Sequence, residues 1–234
     1  MLLDEEVEGF AAEQSQSIAN DFGLALVSPP PLLEWGEEPE FRPITADGDP
    51  RIFVRRRGAD WWRIRYQIAH ELFHWLCTPA GTFHWTHELL AVETAVQAMQ
   101  AIGEHDYARR ETERLASEAA RLPLSTMLVT PFGEVYPPGL YGRAWVTGRE
   151  LIGAVGWERV KPLAHSFDQD GNPDIAGWVA ALVQTERNAV ERVLGRPSAQ
   201  WVRGSSPLLT TRSRAPRPSR AGVRRASRLW TAAP

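Results

Sequence analysis

The sequence predicts an α+β fold: a small twisted sheet beside one central helix, with several further helices enclosing the pair. Three observations lead there. Residues Asp60 to Cys77 are apolar on nearly every side when read at about 100° per residue, which is the pattern of a buried helix. Arg51-Ile52-Phe53-Val54-Arg55, just before it, alternates as a strand does. Downstream, further helical stretches are separated by segments rich in Pro and Gly. A chain of 234 residues with 43% hydrophobic content can bury one sizeable core.

Taken in order, residues 3–20 read as a helix through Val7, Phe10, Ala11 and Ile18. Ser28-Pro29-Pro30-Pro31 is a stiff extended connector, and residues 32–50, rich in Pro, Glu and Gly, read as loop. The strand at 51–55 is broken by Gly58, and Asp60 can cap the central helix, which ends at Thr78-Pro79-Ala80-Gly81. A second helix runs from Trp85 or Thr86 to Ile102, and a third from about Asp106 to Leu122, stopped by Pro123. Residues 125–146 read as loop with short strands. Thr147-x-x-Glu150 forms a capping box that opens a short helix towards Val155. Asp168-Gln169-Asp170-Gly171-Asn172 is a turn; it lacks the final Glu of a calcium loop. One amphipathic helix spans Pro173 to Leu194.

The central helix carries His70-Glu71-Leu72-Phe73-His74. Residues four apart stand one above the other on a helix, so both imidazoles can reach a single cation. Glu71 then leans beside the cation's open position, placed to take a proton from water. Solvated histidines on a surface helix would be the ordinary alternative, and the rest of the helix argues against it. Trp61, Ile64, Ile68, Leu72 and Trp75 make one apolar face, and Trp62, Tyr66, Ala69, Phe73 and Leu76 most of another. What remains is a narrow polar strip of Arg63, Gln67, His70, Glu71 and His74, and buried polar groups need partners. Two His with a Glu suit zinc, and a catalytic zinc needs a third protein ligand beside its open position.

Two carboxylates present themselves as that ligand. Glu93 lies in the apolar helical run Ala91-Val92-Glu93-Thr94-Ala95, and Glu113 on a later helix whose small residues 116, 117, 119 and 120 permit close packing. Spacing does not separate them. Gly81-x-x-His84 imitates another metallopeptidase continuation but lies four residues too far from His74. Hydrolysis also requires a donor to the developing oxyanion; Tyr107, Tyr136, Tyr141, His84 and His87 are all open for that role.

Ile68-Ala69-His70-Glu71-Leu72-Phe73-His74, after a strand and an Arg-rich turn, resembles the signature helix of the ImmA/IrrE family of metallopeptidases. Glu113-x-x-Ala116-Ser117-x-x-Ala120 followed by Leu122-Pro123 resembles the family's second block. Ser117 stands where that block has Asn, the Leu-Pro comes early, and a helix with Glu93 intervenes. The resemblance covers about residues 50–125. It implies a zincin-like core, here residues 1–130, with zinc held by His70, His74 and Glu113 and with Glu71 as general base. It further implies an intracellular endopeptidase that cleaves a regulatory protein, commonly a DNA-binding repressor. Residues 131–203 then form a helical accessory region.

Charge and composition bound the partners. Ten Arg residues follow Glu191, the last acidic residue, so the tail carries +10 while sixteen basic against twenty-nine acidic residues leave the body at −13. The acidic body repels phosphate and no helix-turn-helix pattern stands out, so direct nucleic-acid binding is not expected. It attracts a basic protein partner, for which the strand at 51–55 offers an edge for strand addition. From 204 to 234 the chain is basic and rich in Ser and Pro, a composition that does not order itself. There is no run of 18 apolar residues, the N-terminus is acidic, and Cys77 is the single cysteine, which together point to the cytoplasm. The alternative to a peptidase is a catalytically silent zinc-binding regulatory or interaction protein; Glu71 speaks for catalysis, since a structural site has no use for a carboxylate there.

Overall fold

The apolar stripe of the first helix, α1 (Glu5–Phe22), buries Val7, Phe10, Ala11, Ile18 and Phe22. The computed structural model describes residues 5–26, 30–37, 39–42, 50–55, 60–77, 84–128, 137–168 and 173–195. These all lie within one compact unit, Met1–Gly204. The basic tail expected from 204 onward lies outside the described residues, as does most of the turn at 168–172.

The stretch expected to be loop holds two strands, β1 (Leu32–Gly36) and β2 (Glu40–Arg42). Both pair with β3 (Arg51–Arg55), β1 in parallel and β2 antiparallel, in the order β1-β3-β2. The two strands are only five and three residues long, too short for a pattern of their own. Their form comes from pairing, reinforced between β1 and β3 by a 2.6 Å ion pair of Glu34 with Arg51. The strand expected at 51–55 is therefore present but central. Both its sides are taken, so it offers no edge for strand addition.

Next comes α2 (Trp61–Cys77), whose first turn is closed by Asp60 Oδ1 accepting from the Arg63 N–H at 2.8 Å. Gln67, in the polar strip, has its side-chain oxygen accept from the Arg55 backbone N–H at 3.1 Å. That bond ties the end of β3 to the helix. On the opposite flank the Arg65 guanidinium stacks over Phe10, Trp61 and Trp62 and pairs with Glu6 of α1. Ile68, Ala69, Leu72 and Phe73 are fully or almost fully buried.

Helix α3 (Trp85–Ala101) packs on α2, and its run from Trp85 to Val96 is buried throughout. Its N-cap is His84, whose Nδ1 accepts from the Thr86 N–H at 3.3 Å. Burial, and beside it the charge of His87, lowers the His84 pKa to about 3, so the ring stays neutral and its cap intact at neutral pH. After α4 (His105–Ala119) and the short α5 (Leu124–Met127) comes α6 (Leu140–Val155), packed against both α3 and α4. The capping box expected at Thr147 and Glu150 is thus a misreading: Thr147 is buried in the middle of α6. The helix starts seven residues earlier because Gly142, which reads as a loop residue, is what lets its first turn touch α4. A Cβ there would collide with the Leu115 carbonyl and lie 2.7 Å from the Ala119 nitrogen.

A short α7 (Trp157–Val160) and a 3₁₀ turn (Lys161–Ala164) lead to the Phe167–Pro173 bridge. The single helix expected from 173 to 194 is two, α8 (Ile175–Ala181) and α9 (Gln184–Leu194). No Gly or Pro marks the break. Contacts decide it: Trp178 Nε1 donates to the Arg159 carbonyl at 2.7 Å, Leu182 turns inward, and Arg187 donates to the carbonyls of Ala180 and Leu182 at 3.1 and 3.2 Å. The architecture is α+β. Among the described residues no helix is long and apolar enough to cross a membrane.

Candidate metal centre

Helical spacing on α2 brings His70 and His74 together as expected, with their Nε2 atoms 3.2 Å apart. The group that completes the set comes from the first turn of α3. Glu88 Oε2 lies 3.3 Å from His70 Nε2, and Glu88 Oε1 lies 3.6 Å from His74 Nε2, so the carboxylate straddles the pair. One ligand atom from each of the three residues falls within 4.8 Å of the others. Zinc with bonds of about 2.0–2.1 Å sets its tetrahedral ligands roughly 3.3–3.4 Å apart, and the observed separations match that figure.

The chemistry of the donors fits a cation as well. Glu88 is 1% exposed and His74 1%, and a carboxylate so deeply buried needs compensating positive charge. Two neutral imidazoles facing each other through Nε2 can share only one proton between those atoms. Although close to His70, Glu88 Oε2 makes no aligned hydrogen bond. A divalent cation satisfies all three lone pairs at once. Burial pushes the Glu88 carboxyl up, but His74 and His70 outweigh it and hold it well below the usual carboxylate range. For His70 burial pushes the other way, and Glu88, Glu71 and Glu111 together overcome it and raise the ring above its ordinary value. The N-terminal turn of α3 adds its own positive field to the carboxylate.

Glu71 lies on the same helix, buried at 7% exposure, and its charge reaches His70. It stands outside the group formed by His70, His74 and Glu88. Glu113, expected as third ligand, is not at the site. Its side chain is 63% exposed on α4 and pairs with Arg109 at 3.1 Å, one turn away on the same helix. Of the small residues 116, 117, 119 and 120 only Ala119 is buried, where α4 packs against α6, and Glu113 lies on the solvent face. Glu93, the alternative, is buried and held by Arg149 of α6 at 2.8 Å and by Gln97 at 3.1 Å. It joins α3 to α6 rather than to the histidines. Glu88 is the carboxylate that meets the histidines instead.

One signal for Glu88 was present. Between Trp85 and Ala101 the only acids are Glu88 and Glu93, in a helix with no Lys or Arg and with the apolar runs Leu89–Val92 and Ala95–Val96, so the reasoning that singled out His70 and His74 applies to them too. Of the oxyanion candidates, Tyr136 lies outside the described residues. Tyr107 packs on Tyr66 with ring centroids 6.1 Å apart, His84 caps α3, and His87 stacks on Phe167 at 5.3 Å. Tyr141 sets its ring edge-on to His70, 6.0 Å between centroids. No protein-family model, curated protein or solved structure matches the chain.

Proposed function

We propose that this chain is a zinc-dependent metallo-endopeptidase of zincin-like design, related to the ImmA/IrrE peptidases and working in the cytoplasm on a regulatory protein. The observation that carries the reading is the convergence of His70, His74 and Glu88 within 4.8 Å, with Glu71 next to the first ligand on the same helix. Zinc held by these three residues acidifies water and polarises a carbonyl.

The chain's own residues do the rest. Glu71 accepts a proton from the attacking water as the water oxygen bonds to the amide carbon. The carbon–nitrogen bond then breaks, and Glu71 returns the proton to the departing nitrogen, leaving a carboxylic acid and an amine. The buried free thiol of Cys77 agrees with a reducing compartment. The substrate expected from the resemblance is a DNA-binding repressor, whose basic surface the acidic body attracts.

The test separates binding from chemistry. Purified wild type should carry about one zinc per chain. Glu71→Gln should keep that zinc and lose hydrolysis by about 10²-fold or more, since the base goes and the ligands stay. Activity equal to wild type in Glu71→Gln, or iron in place of zinc, would overturn the reading.

A further inference from the structure

We propose that Tyr141 is a catalytic residue, its phenol donating a hydrogen bond to the amide oxygen that becomes negatively charged as water attacks. The inference rests on the metallopeptidase reading and adds the group that stabilises the developing charge.

Position comes first. The Tyr141 ring meets the ring of ligand His70 edge-on, 6.0 Å between centroids and inclined at 62°. Its exposure is 37%, against 8% for His70 and 1% for His74 and Glu88. It is thus a partly exposed residue in contact with the buried centre.

The second observation is how firmly the backbone around it is held. Gly139 begins α6 in the left-handed region, φ 87°, with space for a Cβ only 2.6 Å from the Glu118 carbonyl. Gly142 sits directly on the α4 backbone, as described above. Arg143 reaches over the end of α4, its Nε donating to the Leu122 carbonyl at 2.8 Å and an Nη to the Ala119 carbonyl at 2.7 Å. Three anchors in five residues thus lock the first turn of α6 onto the C-terminal end of α4. An aromatic ring left half in water gains little from such tethering unless its position matters. Gly139, Gly142 and Arg143 are positioning residues, and Tyr141 is what they position.

The chemistry suits the place. A phenol O–H can donate a hydrogen bond to an oxyanion without transferring its proton. A fixed donor aimed at developing charge is worth about 10²–10³ in rate.

The test uses the full chain loaded with zinc and acetohydroxamic acid as probe, its anionic oxygen standing in for the charged amide oxygen. Zinc content is measured by metal analysis and probe binding by calorimetry, for wild type and Tyr141→Phe. Phe keeps the ring and its contact with His70, and a melting curve checks that the fold is intact. The expected result is one zinc in both proteins and at least ten-fold weaker probe binding by Tyr141→Phe. Equal probe affinity, or no probe binding by either protein when zinc is present, overturns the role of Tyr141 and leaves the metal centre standing. Loss of zinc from Tyr141→Phe overturns it too, by making the residue structural. A wild type that takes up no zinc removes the metallopeptidase reading and this inference together.

Discussion

Glu88 and Glu113 are both helical acids downstream of the histidines, and burial is what separates them. At Glu113 a carboxylate in water pairs with Arg109 at 3.1 Å, an exposed contact of the kind that contributes little. Glu88 faces two imidazoles in the core, where a charge must be matched or expelled. Glu88→Gln should therefore lose zinc affinity by more than the roughly 10–100-fold that even an outer-shell change brings. Glu113→Ala should keep its zinc and change stability by less than about 0.5 kcal/mol. Metal analysis of the two variants side by side decides the matter: zinc lost from Glu113→Ala and kept by Glu88→Gln would reverse the assignment. Cys77, the last residue of α2, is not among the residues that converge on the site, and burial pushes its thiol well above the ordinary range.

At the scale of the element, α6 carries the most consequence. It bridges α3 and α4, presents Tyr141 at its first turn and supplies Arg149 to the buried Glu93. Gly148 lets it lie on Leu89, the residue after Glu88, with room for a Cβ only 3.1 Å away. Its midpoint, Thr147, has a buried hydroxyl with no hydrogen-bond partner among the described residues. Were Thr147 a helix cap, losing its hydroxyl would cost about 1 kcal/mol. Inside α6, Thr147→Val removes an unsatisfied polar group at nearly constant volume and should be neutral or stabilising by up to about 1 kcal/mol. Urea denaturation measures the difference, and a destabilisation of 1 kcal/mol or more would show that the hydroxyl has a partner after all.

For the molecule as a whole, the proposed metal couples to the fold. The three candidate ligands come from α2 and α3, the two most buried helices, so a cation there would join the centre of the core. Without it the buried Glu88 is compensated, among the described residues, by the two imidazoles and the N-terminal turn of α3. At a thousand-fold excess over its Kd, zinc should add about 4 kcal/mol of stability, roughly 8–16 °C in melting temperature for a chain of this size. Thermal melts with zinc and with a chelator give the comparison. A melting temperature unmoved by the chelator would mean that the site holds no metal. The Glu71→Gln variant should show the same chelator dependence as wild type, since its ligand set is complete.

Part of this could be read from the sequence alone. The pairing of His70 with His74, the place of Glu71 between them and the burial of their helix follow from local spacing, which is a property of one helix and its own side chains. Asp60 as the helix cap and the strand at 51–55 are local in the same sense. Other features depend on residues far apart in the chain, and only the tertiary structure decided them. β1 and β2 exist because β3 pairs with them, and that pairing makes β3 central instead of an edge. Helix α6 begins at Leu140 because Gly142 fits against Leu115 and Ala119, and the break at Leu182 follows from contacts made by Trp178 and Arg187. The third ligand belongs to this class. Glu88, Glu93 and Glu113 are alike as helical acids, and which of them meets the histidines depends on how α3 crosses α2, a packing relation that no spacing within either helix contains.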